Sequence, residues 1–420
     1  MMTDTRPIVI IIGAGASGLT AAIHAARAGA TVRILEHKEA AGKKLLLTGN
    51  GKCNLSNEDL NPRYYRGSHP EFAETALSSF GLSETRDFFR SIGILLRSKN
   101  GYLYPQNGEA VGVRDALVAE CDKLGVEISY EIGIKKIVRD DGDFLLDTKQ
   151  GEFRSRSVVL ATGGSTLKRT GSDGSGLLYL ERFRHPIKDV VPSLLQMKAK
   201  EAFFPEIAGI RADASLCLFV DGEENRRERG ELQLTEYGIS GIPVFQLSRY
   251  AAEGLKKGKN VSALISFLPE NKDPEELVSF YESLFRDHPD PVGRLLAGSL
   301  PHKLCGVILK EAGVKDLPGN RITREEIRRI VKMITAFPVT ITGMYREDQA
   351  QVTAGGVDTD YVDPETMEST LEKGLFFCGE VLDIDGPCGG YNLQWAWSSG
   401  AAAGIHAAHF AQKTAKRTSS

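Results

Sequence analysis

Residues 8–36 read IVIIIGAGASGLTAAIHAARAGATVRILE and predict a strand, a tight turn, a helix and a second strand in immediate succession. Residues 8–12 form a continuous β-branched run, which is typical of a parallel strand buried on both faces. Residues 19–28 are rich in alanine and stop at Gly29, as a helix does, and residues 31–35 form the second strand, closed by Glu36. This succession predicts a doubly wound α/β domain.

The turn carries the pattern Gly13-x-Gly15-x-x-Gly18, which predicts a dinucleotide site in this strand–turn–helix context. Gly13 makes the tight turn, Gly15 lets the backbone approach a pyrophosphate, and Gly18 lets the helix and the strand pack closely. The free N–H groups at the helix start favour the pyrophosphate. Glu36 is placed to bind ribose hydroxyls and disfavours a 2′-phosphate, so the nucleotide is FAD or NAD. The expected contacts are Gly13, Gly15, Ala16, Ser17, Gly18, Glu36 and His37.

Two further glycine-rich segments favour FAD, because FAD is long and needs a second anchoring region. Residues 158–161 form a buried strand that runs into a glycine turn, and residues 376–380, FFCGE, end a strand in an acid suited to ribityl hydroxyls. Residues 386–393, GPCGGYNL, supply a helix start that can stabilise negative charge on the N1/O2 side of a reduced flavin. The cofactor residues expected here are Ala161, Thr162, Gly163, Gly379, Glu380, Gly389, Gly390, Tyr391, Asn392 and Leu393.

The pattern of apolar and polar residues changes near residue 190. Short alternating strands are predicted first, and the charged run at residues 221–231 is interpreted as a solvated hairpin turn between two of them. Helical patterns follow, and the α/β pattern then returns near the C-terminus. We therefore predict one FAD-binding domain interrupted by a two-part insert, with the domain at residues 1–189 and 342–420 and the insert at residues 190–270 and 271–341.

The composition gives little support for a nucleic-acid or membrane partner. The 420 residues include 52 Lys and Arg against 55 Asp and Glu, a formal net charge of -3, which offers no general attraction for RNA or an anionic membrane. The six cysteines are scattered without a CxxC pair, and the eight histidines show no HExxH pattern. We expect reduced thiols, no metal and a cytoplasmic protein that acts on a small molecule. The oligomeric state stays open.

Four segments carry a resemblance to a known family. They are GKKLLLTGNGKCN at residues 42–54, TGSDGSG at 170–176, GELQLTEYGISG at 230–241 and GEVLDIDGPCGGYNLQWA at 379–396. The chain resembles, nearly end to end, the BaiN-type FAD-dependent oxidoreductases, which include aminoacetone-oxidase-like flavoproteins and a bile-acid dienone reductase.

The resemblance implies a Rossmann-type, glutathione-reductase-like FAD-binding domain whose insert consists of a β-barrel and a helical subdomain. It also implies that the loop at residues 43–54 wraps the cofactor, although Lys43 and Lys44 alone are equally typical of a solvated loop. Analogy with related flavoproteins adds a backbone contact to adenine. The residues concerned are Lys43, Lys44, Gly49, Asn54 and Ile134.

For the reaction, the resemblance implies a flavin that is reduced by NAD(P)H and passes hydride to an unsaturated ketone, as in a 3-dehydro-bile-acid Δ4,6-reductase. Only one full GxGxxG occurs, so NADH or NADPH must dock transiently as electron donor. Tyr391 and Tyr237 are candidates to polarise the ketone, although packing or cofactor support explains either tyrosine more simply. Cys53 and Cys388 would be redox-active only if they met. A flavin amine oxidase acting on an aminoacetone-like substrate with oxygen as acceptor is one alternative, and an FAD-binding RNA-modification partner is another.

Overall fold

The computed structural model describes residues 8–271 and 273–418, and the chain divides into two compact units. The first unit contains the residues up to Val190 together with those from Asp348 onward, and the second is Val191–Glu347. The second unit therefore begins beside the predicted start of the insert and extends slightly beyond its predicted end at residue 341. The ends of the predicted FAD-binding domain at residues 1–7 and 419–420 lie outside the described residues.

A five-stranded parallel sheet forms the centre of the first unit. Residues 9–12 and 158–160 are buried, because their apolar side chains pack on both faces of the sheet. The strand nearest the C-terminus pairs with the strand at residues 157–160, so segments from both ends of the chain build one sheet. This confirms the predicted Rossmann-type fold. The strand order is Leu375–Phe377, Ser157–Leu160, Ile8–Ile12, Thr31–Leu35 and Glu127–Ser129.

Two helices from opposite ends of the chain, Ala16–Arg27 and Tyr391–Thr418, pack against each other. A Cβ atom on Gly400 would lie 2.7 Å from the carbonyl oxygen of Ser17, and one on Gly404 would overlap the carbonyl oxygen of Ala21. Glycine at these positions therefore allows the two helix backbones to come into contact. The other α-helices of the first unit are Phe72–Ser79, Leu82–Ser91, Ala110–Lys123 and Ser175–Leu178.

Two small antiparallel sheets complete the first unit. One consists of Ser56–Asn57, Tyr102–Pro105 and Leu96–Lys99, and the other of Ile134–Asp140, Asp143–Thr148 and Gly151–Ser155. Two further strands are Ile187–Ser193 and Val352–Val357. The 3₁₀ segments of the described chain are Leu45–Gly51, Pro62–Tyr64, Lys168–Thr170, Glu181–Phe183, Gly319–Arg321, Glu347–Gln349, Thr359–Tyr361 and Gly379–Val381.

The second unit contains a closed antiparallel barrel, which confirms the barrel that the resemblance implies. Alternate side chains of its last strand, those of Phe337, Val339 and Ile341, are buried, while Pro338 and Thr340 are exposed, as period-two burial requires. Around the barrel the strands are Met197–Ala199, Gly238–Gly241, Glu223–Thr235, Arg211–Val220, Val261–Ser266 and Phe337–Met344.

The helices of the second unit correct the predicted boundaries. Most of them lie in the chain between the last two barrel strands, so residues 337–341 form a barrel strand and do not belong to the helical subdomain. Ile242–Lys256 is a helix inside the region predicted as short strands. The α-helices of this unit are Phe204–Ile207, Ile242–Lys256, Pro274–Arg286, Val292–Leu296, His302–Glu311 and Arg324–Thr335. No helix within the described ranges has the length and apolar character needed to span a membrane.

The charged run at residues 221–231 is mostly strand, and its interpretation as a hairpin turn is wrong. Only Asp221 and Gly222 form the turn, while the rest of the run belongs to the strand Glu223–Thr235. Arg229 donates a hydrogen bond to Asp213 on the neighbouring strand over 2.7 Å. Cross-strand charge pairs of this kind let an exposed strand be highly polar.

Candidate functional site

Four neighbouring strands of the parallel sheet end at one edge. Their last residues are aligned by the strand pairing, Leu35 with Ile12, Ile12 with Leu160, and Leu160 with Phe377. In open α/β sheets, ligands bind beyond the carboxyl ends of the strands. The segments that follow these ends are the glycine turn at residues 13–18, Glu36, residues 161–163 and residues 379–380, so the structure brings the predicted nucleotide residues to one edge.

The glycine turn is shaped by close packing at two positions and is open at a third. Gly13 has φ +103°, and a Cβ atom there would lie 2.6 Å from the carbonyl oxygen of Ala161. A Cβ atom on Gly18 would overlap the Gly13 carbonyl, whereas one on Gly15 would meet no described atom within 4 Å. The helix that Gly15 precedes has no acidic residue in its first turn. This helix start can therefore receive an anionic group close to the backbone.

Glu36 is buried, and two backbone amides hold its carboxylate. Oε2 accepts from the Ala14 N–H over 2.7 Å, and Oε1 accepts from the Lys38 N–H over 2.8 Å. The carboxylate is thereby fixed beside the glycine turn, with lone pairs remaining for further donors such as ribose hydroxyls. The next residue, His37, has a buried Nε2 with no hydrogen-bond partner among the described residues.

The segments at residues 161–163 and 379–380 are held by the neighbouring chain. Ala161 N–H donates to the carbonyl of Ile12 over 2.9 Å, and the buried Thr162 Oγ1 has no hydrogen-bond partner in the described part of the chain. A Cβ atom on Gly163 would lie 3.1 Å from Ser172 Oγ. Gly379 N–H donates to Ser399 Oγ over 2.9 Å, which connects this loop to the C-terminal helix.

Lys44 and Glu380 form the centre of a polar group that we call the Lys44 cluster, consisting of Lys44, Thr166, Ser172, Thr353 and Glu380. Lys44 Nζ donates to both carboxylate oxygens of Glu380, over 2.8 and 3.0 Å, and to the Thr166 hydroxyl over 3.1 Å. Ser172 Oγ lies 3.4 Å from the same ammonium group. Thr353 N–H donates to Glu380 over 2.8 Å. The cluster therefore joins four separate segments of the first unit.

Lys43 faces a different environment from its neighbour. Its ammonium group pairs with Glu39 over 2.5 Å, and the Glu39 side chain is exposed. The hydrogen bond from Lys43 is the main reason that the pKa of Glu39 lies below its usual value. Both lysines expected to bind the cofactor are half-buried; Lys44 pairs with the half-buried Glu380, whereas Lys43 pairs with the exposed Glu39.

The loop at residues 386–390 is attached to the segment at residues 54–57. When the side-chain oxygen and nitrogen of Asn54 are exchanged so that both form hydrogen bonds, the oxygen accepts from the Gly390 N–H over 3.2 Å. Asn57 Nδ2 donates to the Gly389 carbonyl over 3.0 Å. Asn392 closes the loop, since its amide donates to the Gly386 carbonyl over 2.7 Å and accepts from the Gly386 N–H over 2.8 Å. Hydrogen bonds therefore join the two loops expected to hold the flavin, at residues 43–54 and 386–390, directly or through Asn57.

Gly49 stands in the same region, where a Cβ atom would lie 3.2 Å from the Asn54 nitrogen. Leu393 packs against the hydrophobic core. Ile134 begins a strand, and its carbonyl accepts from the Tyr179 hydroxyl over 3.2 Å.

Tyr391 is buried, and its hydroxyl is already engaged. The hydroxyl donates to the Asp59 carbonyl over 3.0 Å, and the Tyr391 carbonyl accepts from the Tyr65 hydroxyl over 3.0 Å. Burial raises the pKa of Tyr391 to about 12. A phenol has one proton to donate, so polarising a ketone would require Tyr391 to give up its bond to Asp59.

Tyr237 lies in the second unit, in the turn between two barrel strands. Its ring is stacked on that of Tyr345, with centroids 3.4 Å apart and planes 3° from parallel. Arg346 lies over the Tyr345 ring at 5.5 Å. Partial burial is the main cause that raises the pKa of Tyr237. The described contacts of Tyr237 are those of a packed aromatic pair.

Three buried side chains that the sequence reasoning missed fix the C-terminal helix to these loops. Trp395 Nε1 donates to the Gly379 carbonyl over 3.1 Å, and Trp397 Nε1 donates to the Leu55 carbonyl over 2.9 Å. Gln394 accepts from Ser56 Oγ over 2.6 Å. Amphipathic patterning shows only that such residues are buried, because the partners of a buried polar group depend on tertiary contacts.

The cysteines of the site are thiols without disulfide partners in the described chain. Burial raises the pKa of Cys53 and of Cys388 to about 12, so neither is a thiolate at neutral pH. In the same unit, His69, Asp358 and Asp360 place ligand-type atoms within 4.8 Å of one another. Lys188 pairs with Asp358 over 2.8 Å and offsets the acidic charge that a cation would need.

The residues at the sheet edge fit a dinucleotide. Buried polar atoms in proteins normally have hydrogen-bond partners, and His37 Nε2 and Thr162 Oγ1 lack them among the described residues. Both belong to segments that leave the carboxyl ends of the strands, as do Gly15 and the oriented carboxylate of Glu36. These four residues would hold the pyrophosphate and the adenosine of FAD.

Comparison with known proteins gives a family and near-full-length relatives. The family described as HI0933-like protein Rossmann domain matches residues 7–406. The chain is 40% identical to the 3-dehydro-bile acid delta(4,6)-reductase of Clostridium scindens, over 95% of this chain and 98% of that protein. It is 31% identical to the ribosomal RNA dihydrouridine synthase of Haemophilus influenzae, over 93% of this chain and 96% of that protein.

Among solved structures, the chain is similar to the open conformation of a flavocytochrome c3 fumarate reductase. The TM-score is 0.46 at 17% sequence identity, and the match covers 96% of this chain and 79% of that chain.

Proposed function

The chain belongs to the HI0933-like Rossmann family and is an FAD-dependent oxidoreductase, and on this premise we propose that it reduces a carbon–carbon double bond conjugated to a carbonyl group. NADH or NADPH is the proposed electron donor. The proposed substrate is an unsaturated ketone of the 3-dehydro-bile-acid type. The proposed location is the cytoplasm, supported by the six cysteines, which form no disulfide in the described chain.

The similarity to the bile acid delta(4,6)-reductase carries the proposal. It extends over nearly all of both chains, and the family match at residues 7–406 includes the glycine turn, the Lys44 cluster, the loop at residues 386–390 and the insert. The ribosomal RNA dihydrouridine synthase matches over a similar range. Dihydrouridine is uridine with the double bond next to a carbonyl reduced, so both relatives are named for a reduction of the same bond type.

The residues of the site suit this chemistry. Bound FAD supplies hydride transfer, and the protein has to bind and orient it. The helix start after Gly15 would bind the pyrophosphate, and Glu36 would bind the adenosine ribose. A second helix begins at Tyr391, directly after Gly389 and Gly390. Its free N–H groups would stabilise negative charge at the flavin end of the site.

A uridine in ribosomal RNA is the second candidate substrate, favoured by the relative from Haemophilus influenzae. RNA-binding surfaces are usually basic. This chain carries a formal net charge of -3, and the longest described strand, Glu223–Thr235, contains four glutamates and three arginines. The charge distribution therefore supports the ketone over RNA.

The test is an anaerobic reduction of the purified holoenzyme, followed through the visible absorbance of the flavin. NADH and NADPH are added separately, and the reduced protein is then mixed with a 3-oxo-Δ4,6 bile acid. We expect one nicotinamide to bleach the flavin within seconds and the dienone to restore its colour, with loss of the dienone absorbance. The saturated 3-oxo bile acid is the matched control and should leave the flavin reduced.

Three other results would reject the proposal. Reoxidation by a uridine-containing ribosomal RNA fragment, but not by the dienone, would establish the RNA reaction. Bleaching by aminoacetone, but not by either nicotinamide, followed by reoxidation with oxygen, would establish the amine oxidase. A reduced flavin that none of these acceptors reoxidises would exclude reduction of a conjugated double bond in either substrate class.

A further inference from the structure

We propose that Tyr102 is the catalytic hydroxyl of this enzyme and donates a hydrogen bond to the carbonyl oxygen of the substrate during the reduction. The inference rests on the proposed function, and it assigns the carbonyl-polarising role to a residue other than Tyr391 and Tyr237. It follows from the position of Tyr102 against the loop at residues 386–390, from the hydrogen bonds of the neighbouring tyrosine hydroxyls and from the exposure of the Tyr102 ring.

Tyr102 lies against the loop at residues 386–390. Its strand pairs with Ser56–Asn57, with Tyr102 opposite Asn57, and Asn57 holds the Gly389 carbonyl. A Cβ atom on Gly389 would lie 2.9 Å from Tyr102 Cε1. Cε1 is bonded to the carbon that carries the hydroxyl, so the hydroxyl end of the ring is the part that approaches Gly389.

The other tyrosines at this loop have engaged hydroxyls. Tyr64 donates to the Asp59 carboxylate over 2.6 Å, Tyr391 to the Asp59 carbonyl over 3.0 Å, and Tyr65 to the Tyr391 carbonyl over 3.0 Å. The Tyr102 hydroxyl has no hydrogen-bond partner within the part of the chain that the structure describes. Its side chain is 38% exposed. A ligand arriving from solvent at Gly389 therefore meets Tyr102 as a free donor.

The chemistry requires a donor of this kind. Bound FAD would supply the hydride for a new C–H bond at the far carbon of the conjugated system, and the π-electron pair of the substrate would shift toward its carbonyl oxygen. The Tyr102 O–H donates a hydrogen bond to that oxygen as its negative charge develops, and a proton from water then completes the C–H bond next to the carbonyl. A donor aimed at a developing oxyanion accelerates such a step by roughly 10²–10³-fold.

The position of Tyr102 also fits the electrostatics of the loop. The free backbone N–H groups at the helix start after Gly390 would stabilise negative charge there. These groups are fixed in the helix and cannot rotate toward a substrate oxygen. A phenol on the strand Tyr102–Pro105 is carried by regular structure and can rotate about its own side-chain bonds. The strand fixes where the hydroxyl can reach, as a catalytic donor requires.

Tyr102→Phe removes the hydroxyl and keeps the ring. In the holoenzyme, we expect unchanged FAD content and unchanged reduction by the nicotinamide, while reoxidation by the 3-oxo-Δ4,6 bile acid slows about 100-fold. The effect should fall on kcat more than on KM, because the charge on oxygen develops only during the reaction. Tyr104→Phe is the matched control, since Tyr104 lies two positions along the same strand, and it should reoxidise at the wild-type rate.

A measurement without turnover tests the contact itself. The dienone, labelled with ¹³C at its carbonyl carbon, is bound to the oxidised holoenzyme and observed by NMR. We expect a downfield shift of the carbonyl signal in the wild type, as hydrogen bonding produces, which is lost in Tyr102→Phe and kept in Tyr104→Phe. Wild-type reoxidation rates or an unchanged carbonyl shift in Tyr102→Phe would overturn the inference and leave the proposed function standing. A wild-type flavin that the dienone does not reoxidise would overturn both.

Discussion

Replacing Lys44 with methionine removes the ammonium group from the Lys44 cluster and leaves the Glu380 carboxylate without its counter-charge. The two side chains are 22% and 18% exposed, so the pair lies between a surface ion pair and a fully buried one. Breaking a buried pair costs about 3–5 kcal/mol, whereas an exposed pair contributes about 0–1 kcal/mol. We therefore expect Lys44→Met to lower the free energy of unfolding of the first unit by about 2 kcal/mol.

The chain provides a specific assay for this unit. Both of its tryptophans, Trp395 and Trp397, lie in the helix Tyr391–Thr418 of the first unit, so tryptophan fluorescence during urea denaturation follows that unit and not the insert. Lys43→Met is the matched control, because it removes the neighbouring lysine, whose partner Glu39 is exposed, and it should leave the urea midpoint unchanged.

The double variant Lys44→Met/Glu380→Gln separates charge from packing. With both charges removed, no buried charge is left alone, so the double variant should be more stable than Lys44→Met. We also expect Lys44→Met to bind FAD more weakly, measured by flavin release on dilution, because the cluster joins the segments that follow two strand ends. Equal midpoints for Lys43→Met and Lys44→Met, or a double variant that is less stable than Lys44→Met, would refute the reasoning.

Burial lowers the pKa of His185 from 6.5 to about 4, against the opposing charge of Asp358. The unfolded chain then binds a proton that the folded chain excludes, so the free energy of unfolding should fall by on the order of 2–3 kcal/mol as pH drops from about 6.5 to about 4. The urea midpoint should depend less on pH in His185→Asn than in the wild type over this range. Equal pH dependence in the two proteins would contradict the prediction. Gly404→Ala should destabilise the first unit by about 2–4 kcal/mol through overlap with the carbonyl of Ala21. Gly133→Ala is the control in the same unit, because a Cβ atom there meets no described atom within 4 Å, and it should leave the urea midpoint nearly unchanged in the same assay. Ellman's reagent should react with few thiols in the native protein at pH 8 and with all six in denaturant. The reason is that burial raises the pKa of five cysteines to about 11 or 12. Rapid reaction of the native protein would contradict this prediction, because it would show that the thiols are accessible.

The parallel sheet and the nucleotide turn are predictable from sequence because their signals are local. Residues 8–36 fix a strand, a turn and a helix whose geometry follows from the residues themselves, and Glu36 lies at the predicted strand end with its carboxylate on the glycine turn. The strand at residues 337–344 is not predictable in the same way. Its alternating burial depends on a barrel whose other strands lie more than 70 residues earlier.

The candidate site shows the same division. Lys43 and Lys44 are adjacent and chemically alike, and only the fold places one on Glu39 and the other on Glu380. Tyr391 is recognisable in the sequence as a candidate because it follows a glycine pair, whereas Tyr102 lies in a strand with no motif around it. What distinguishes Tyr102 is its contact with Gly389, a residue almost 290 positions away, and a hydroxyl that the described chain does not use. Such information exists only in three dimensions.

The pairing of the helices Ala16–Arg27 and Tyr391–Thr418 has a consequence for biosynthesis. The first nucleotide-binding elements leave the ribosome before the insert. The helix that packs on them at Gly400 and Gly404, and whose tryptophans bind the Gly379 and Leu55 carbonyls, is translated after the whole insert. The nascent Rossmann half must therefore wait, with one side of its first helix uncovered, while the whole insert is synthesised. We therefore expect FAD to be retained only after the helix Tyr391–Thr418 has been synthesised, so a ribosome stalled before codon 391 should hold a nascent chain that does not retain the cofactor.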